Sequence, residues 1–286
     1  MAVISKPINH YMKSIFTTVL ALMLGLTLKA QPWSYNFGSQ KGVFNATAVS
    51  TSSKSNLLKP ESGGVARFRY IDSIGYGEYV QNAGGSALRI NGSAIGAGTK
   101  FSIYDFPGTN VLDLSFKLRF ESGTSGNFFI GIGNHMAEGS FFSNNSNVNQ
   151  EKDKVFTGFR FDLKASPINH SVRYLEGTSY LGVNTKLNPV LALENGKDYQ
   201  VQILCNNSSN TTTYKKNGSS YTIEPQKYHV WINGTQILKA ATDGNFGAYQ
   251  ASSKEVVLNA FGLFFNNAKD KAAVIVDDFI YSNKLP

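Results

Sequence analysis

Two adjacent carboxylates, Asp277 and Asp278, interrupt an otherwise apolar run from Ala272 to Tyr281. Successive strand residues point to opposite faces, so one of the pair is expected to point inward or to lie at a sheet margin. A buried carboxylate needs a cation or several hydrogen-bond donors to offset its desolvation. Calcium, which takes oxygen ligands in number, is one reading of the pair as metal ligands; a strand end held by loop amides is the other.

The remaining reactive side chains form no catalytic signature. Cys205 is the single cysteine, so no internal disulfide can form. In YQVQILC it shares a face with Tyr199, Val201 and Ile203 and reads as a buried small hydrophobe. His229, beside Tyr228 on a strand, reads as structural, His170 falls at a turn, and His135 opens a long polar loop. Sandwich glycosidases place their carboxylates in a Glu-x-Asp-x-x-Glu run, which does not occur here. Sandwich lyases need a Tyr/His pair near an Arg or Gln that neutralises a uronate, and no such motif surrounds the histidines or Arg160 and Arg173. There is no Cys/His metal cluster, nucleophile elbow or phosphate-binding glycine loop.

Sugar binding requires less: aromatic faces for a ring, with amide and charged groups for its hydroxyls. Tyr76, Tyr79, Phe142, Tyr174 and Tyr180 lie in or beside expected loops. His135, Asn144, Asn145, Arg160 and Arg173 are candidate polar partners for the same ligand. Trp231 sits in a regular strand and reads as core.

Antiparallel strands must position these groups. From Val111 to Phe120, Leu112, Leu114, Phe116, Leu118 and Phe120 alternate with Asp113, Ser115, Lys117 and Arg119, the pattern of a half-buried strand with a wet outer face. Further strands are expected at 65–71, 87–90, 127–133, 155–163, 171–175, 199–205, 219–223, 227–233, 255–265 and 272–281, with turn residues between nearly all of them. Asn233-Gly234 is the pair a tight type I′ hairpin requires. SIGYGEYVQNAGGS, 134–154 and 206–213 read as loops, and the aromatic start at Trp33 and Phe37 as an edge strand. Helical periodicity is weak throughout the region after residue 30.

Residues 1–30 read as a cleavable signal peptide: Lys6 and Lys13 precede the apolar run from Ile15 to Leu26, and Ala30 offers a cleavage point. Met12 is an alternative start. Residues 31–286 are then expected to form one β-sandwich domain. Without the leader's Lys6, Lys13 and Lys29 the net charge of +8 falls to +5. That scattered excess makes no nucleic-acid stripe and is compatible with an acidic polysaccharide. No membrane insertion is expected after cleavage, and oligomeric state is left open.

The succession SALRING, KFSIYDF, LDLSFKLRF, GNFFIGIGN, VFTGFRFDL, YQVQILCNN, YHVWINGTQI and VIVDDFIYSNKLP resembles a jelly-roll domain of exported Bacteroidetes-type proteins. More loosely it is similar to concanavalin A-like and carbohydrate-binding-module sandwiches. The resemblance covers roughly 84–286. It implies an all-β, two-sheet antiparallel sandwich, secreted or held in the periplasm or on the outer surface of a Gram-negative bacterium. In carbohydrate-binding jelly rolls the terminal-strand Asp often joins an acid near the N-terminus around structural Ca2+. Asn36-Phe37-Gly38 stands here where that acid would be. Relatives often continue into a sorting tail, which the end at Pro286 does not support. The leading expectation is a glycan-binding or surface-interaction module with no recognisable catalytic motif and a polysaccharide or cell-surface glycan as partner. The alternatives are a lyase or hydrolase acting on an acidic glycan and a structural surface protein.

Overall fold

The computed structural model describes residues 32–44, 53–54, 57–61, 63–70, 75–82, 84–92, 99–123, 125–135, 141–143, 154–163, 171–177, 179–249, 255–266 and 272–286. The chain divides into Met1–Gln31, which holds the expected leader and lies outside the described residues, and Pro32–Pro286.

The first ten strands are β1 (Trp33–Tyr35), β2 (Gly42–Phe44), β3 (Ser53–Lys54), β4 (Val65–Arg69), β5 (Tyr76–Asn82), β6 (Gly85–Asn91), β7 (Thr99–Thr109), β8 (Val111–Ser122), β9 (Asn127–Gly133) and β10 (Val155–Asp162). The second ten are β11 (Ser171–Glu176), β12 (Ser179–Gly182), β13 (Asp198–Asn206), β14 (Thr212–Lys216), β15 (Ser219–Ile223), β16 (Lys227–Ile232), β17 (Thr235–Gln236), β18 (Phe246–Gly247), β19 (Leu258–Asn266) and β20 (Ala273–Ser282). They build an antiparallel two-sheet sandwich. The ten-stranded sheet runs β17-β16-β13-β8-β20-β6-β5-β2, with β1 added to β20 and β18 to β16. The eight-stranded sheet runs β12-β11-β10-β9-β19-β7-β4-β3, and β14–β15 is a separate hairpin.

The alternation in β8 places Leu112, Leu114, Phe116, Leu118 and Phe120 in the core and turns Lys117 and Arg119 outward. Phe279 of β20 stacks on Phe116 of its own sheet at 5.2 Å and on Phe261 of the facing sheet at 5.3 Å. Burying each such ring contributes about 2 to 3 kcal/mol. Asn233 and Gly234 both have positive φ, as the β16–β17 hairpin requires.

Both sheets are also covered on parts of their outer faces. On the ten-stranded sheet, Tyr214 and Ile223 of the β14–β15 hairpin pack on Leu204 and Trp231. On the eight-stranded sheet, Gly262, Gly131 and Gly158 stand side by side across β19, β9 and β10. A Cβ at Gly131 would lie 3.4 Å from Phe141, and one at Gly262 3.5 Å from Phe142. The glycine lane therefore lets two aromatic rings lie against the sheet.

Three loop expectations change. SIGYGEYVQNAGGS contains β5, paired along its whole length with β6; its glycines and polar outward residues hide a strand that buries Gly77 and Tyr79. Asn206, Asn207 and Ser208 are buried rather than exposed, because the Asn206 amide donates to the carbonyls of Asn210, Ile223 and Glu224 and ties the segment to the next hairpin. Within 134–154, the described Phe141, Phe142 and Ser143 are buried on the glycine lane.

Candidate functional site

On the outer face of the ten-stranded sheet, β8, β20, β6 and β5 lie side by side. The turn after β1 is fastened to them where Ser86 N donates to the Gly38 carbonyl at 2.7 Å. Together they enclose a pocket of about 270 Å³. Val80, Ala87 and Ile275 supply its apolar lining, and Asn36, Asn82, Lys117, Arg119, Asp198, Asp277 and Asp278 its polar lining.

A β-bulge puts both aspartates there. Asp277 stands opposite Lys117 and Ile280 opposite Ser115, so Asp278 and Phe279 share the place opposite Phe116. Asp278 takes a φ of +50°, a left-handed conformation that Asp tolerates better than most residues. Simple alternation put the two carboxylates on opposite faces; with the extra residue both line one pocket and Phe279 enters the core.

Asp277 is only 8% exposed. Its Oδ2 accepts from Asn82 Nδ2 at 2.8 Å, while its Oδ1 is buried with no hydrogen-bond partner. Burial raises its carboxyl above the usual range, opposed by the Asp278 backbone N–H and the Asn82 amide. Asp278 instead pairs with Lys117 at 2.6 Å, and Asp198 takes Arg119 through two bonds of 2.7 and 2.8 Å.

These residues do not fit a calcium cage. Asn82 Oδ1 accepts from Gly84 N at 2.9 Å, which turns the amide's N–H group, not its oxygen, toward Asp277. Asn36 Oδ1 is likewise taken by Gly38 N at 3.0 Å, and Lys117 already neutralises Asp278. Calcium takes six to eight oxygens, and among the described residues no group of three or more His, Cys, Asp or Glu is placed to hold a metal.

Three of the other candidates come together on the eight-stranded sheet. Arg160 Nε and Arg173 Nε both donate to Asp162, at 2.5 and 2.9 Å, and the Arg160 guanidinium lies 4.3 Å from the centre of the Tyr180 ring. Burial pushes the Tyr180 phenol up to about 12. Elsewhere on this sheet His135 Nδ1 is 2.6 Å from Asp105 Oδ1, and its ring sits 4.4 Å from Tyr104. The Tyr104 hydroxyl accepts from Arg67 at 3.2 Å. Asp105 has a φ of +60°, and His135 Nε2 is buried with no hydrogen-bond partner.

Three of the remaining aromatics are buried. Tyr79 is buried against Phe37, and burial pushes its phenol to about 12; Tyr174 is buried with its ring 4.8 Å from Phe246. Phe142 is buried between Phe141 and the glycine lane. Expected beside loops, all three are packing groups, because a ring next to a turn still gains more from a neighbouring apolar surface than from water. Tyr76 is half-buried on β5, and Asn144 and Asn145 lie outside the described residues. Cys205 is buried with its thiol pushed up, and His229 is buried with Nδ1 2.7 Å from the Tyr214 hydroxyl.

Asn36, Asn82, Lys117, Arg119 and Asp198 were not among the sequence-level candidates. The outward half of LDLSFKLRF carries the signal for Lys117 and Arg119. Strand neighbours that bring Asn36, Asn82 and Asp198 beside them leave no local mark.

Scanned against family models and against curated proteins, the sequence matches none. Among solved structures the chain is similar to the cellulose-induced protein Cip1, at 11% identity over 82% of this chain and 92% of that one, with a TM-score of 0.43. It is similar to domain 4 of AbnA, an extracellular arabinanase of Geobacillus stearothermophilus in complex with arabinotriose, at 12% identity over 82% and 92%, TM-score 0.42. The carbohydrate recognition domain of Emp47p matches at 9% identity over 82% and 98%, TM-score 0.41. These likenesses concern fold alone.

Proposed function

We propose that this chain is an exported glycan-binding protein of jelly-roll type, similar to concanavalin A-like sandwiches, and that it holds a sugar in the pocket beside Asp277. One observation carries the reading: the Asp277 carboxylate, held by the Asn82 amide rather than by a paired cation, lines a pocket that combines apolar side chains with amides and cations. Ligand sites for polyhydroxylated molecules are built this way, apolar surface for the ring and a few fixed polar atoms for orientation. A glycan array probed with the chain is expected to show retention by at least one glycan; a blank array together with no turnover would point to a structural surface role.

A second reading rests on the Asp105–His135 pair. A carboxylate on Nδ1 with Nε2 free of hydrogen bonds is the arrangement of a general base, and Tyr104 and Arg67 are the companions that proton abstraction beside a uronate would use. His135 Nε2 is sealed from solvent, which favours the binding reading. Incubation with uronate polymers, followed near 235 nm for unsaturated ends, separates the two: a rise abolished in His135→Gln supports turnover, and a flat trace removes it.

A further inference from the structure

The pocket beside Asp277 is acidic on a basic protein. Its charged lining groups are Asp198, Asp277 and Asp278 against Lys117 and Arg119, whereas the chain as a whole carries +8. Two of the acids are matched in place, Asp198 by Arg119 and Asp278 by Lys117. Asp277 is the one without a paired cation, held by the Asn82 side-chain amide and the Asp278 backbone N–H.

That arrangement discriminates by ligand charge. A uronate or sulfate entering the pocket would meet a buried carboxylate in a medium that screens poorly, and both nearby cations are already engaged. A hydroxyl meets the opposite situation. Donation to an ionised carboxylate gives a bond roughly twice as strong as one between neutral groups. A second, adjacent hydroxyl then needs a donor. Lys117 has N–H groups beyond the one directed at Asp278, and Asn36 Nδ2 makes no hydrogen bond among the described residues, its Oδ1 being held by Gly38. Val80, Ala87 and Ile275 offer an apolar surface to the C–H face of a ring. The volume of about 270 Å³ suits one small ring.

We infer that the pocket takes an uncharged sugar through two adjacent hydroxyls, one donating to the Asp277 carboxylate and its neighbour accepting from Lys117 or Asn36, and that it excludes uronates and sulfated sugars. The inference rests on the glycan-binding reading above and reverses the ligand charge that the basic composition suggests.

Calorimetric titration of the chain with neutral oligomers (cellohexaose, xylohexaose, arabinohexaose) and acidic ones (oligogalacturonate, oligomannuronate) tests it, with calcium chloride alone as a further arm. Binding of a neutral oligomer but of no acidic one is expected, weakened about tenfold or more in Asp277→Asn. Asn36→Ala and Lys117→Met, at exposed side chains, are expected to weaken it about threefold each, and they carry the test where circular dichroism shows Asp277→Asn unfolded. Acidic-oligomer binding lost in these variants overturns the charge inference and leaves the glycan-binding reading standing. Neutral binding indifferent to all three substitutions overturns the pocket assignment. A calcium heat abolished by Asp277→Asn identifies a cation site and overturns the inference. No binding of any probe, here or on the array, overturns the glycan-binding reading itself.

Discussion

The ammonium of Lys100 stands 3.8 Å from the centre of the Phe141 ring and donates to the carbonyl of that same residue at 2.5 Å. Two arginines of the neighbouring strand β4 act alongside it: Arg67 and Arg69 both donate to the Ser143 carbonyl, at 3.0 and 2.5 Å. Three cations thus hold a short aromatic strap against the outer face of the eight-stranded sheet. A desolvated cation over an aromatic face contributes about 2 kcal/mol.

Lys100→Met should release one end of the strap. It removes the ammonium and leaves the buried Phe141 carbonyl without that donor, so a loss of about 2 kcal/mol is expected. Urea denaturation measures it, and increased binding of an apolar dye should accompany it as Phe141 and Phe142 become accessible. A variant with unchanged midpoint and dye binding would mean that the strap does not depend on this contact.

Glycine replacements should differ according to what each new methyl meets. At Gly133 a Cβ would collide with the Lys154 backbone carbonyl, whereas at Gly158 it would meet side chains alone, those of Leu175 and Phe129. Gly133→Ala is expected to cost about 3 kcal/mol and Gly158→Ala nearer 1 to 2 kcal/mol. Equal melting temperatures for the two variants would contradict this ranking.

His229 should make the protein acid-sensitive. Burial lowers its folded-state pKa to about 4, against an ordinary value of 6.5, with the Asn245 side chain and the Asp243 charge partly opposing. As pH falls below about 6.5 the unfolded chain takes the proton and the folded chain does not. Its contribution is therefore complete above that pH and declines, by the order of 3 kcal/mol, until about pH 4. His229→Gln should flatten this interval in urea midpoints measured across pH.

Asp113 should act in the opposite sense. Burial raises its folded-state pKa to about 6, against the pull of the Gln202 amide and the Lys216 charge. The folded chain then holds a proton that the unfolded chain has lost, so this group favours folding at low pH and ceases to as pH rises through about 6. Asp113→Asn keeps an acceptor for Gln202, which donates to Oδ1 at 2.9 Å. It should raise the melting temperature at pH 8 and leave it unchanged at pH 4.

The sandwich was legible in the sequence wherever one face of a strand is wet. In β8 each apolar position from Leu112 to Phe120 is buried and the polar ones between them face outward, and Asn233-Gly234 marks its own hairpin. Strand β5 was missed because Gly77 and the polar Glu78 and Gln81 dilute its alternation. The candidate site was legible through its two carboxylates and through the outward Lys117 and Arg119 of β8. That both line one pocket follows from the bulge and the left-handed Asp278, and a bulge is set by the register with β8, which no local pattern encodes. Phe142 was misplaced for a similar reason. Gly131, Gly158 and Gly262 are far apart in sequence and form a lane only once β9, β10 and β19 have paired.

Strands β19 and β20 are the last two along the chain, yet each sits in the interior of a sheet, β19 between β7 and β9 and β20 between β6 and β8. Until they emerge from the ribosome, four earlier strands lack a neighbour and neither layer can close. Such dependence on distant pairings slows folding. A nascent chain built in this order remains extensible until β20 has emerged, the condition in which a polypeptide can still be threaded through a narrow translocation channel.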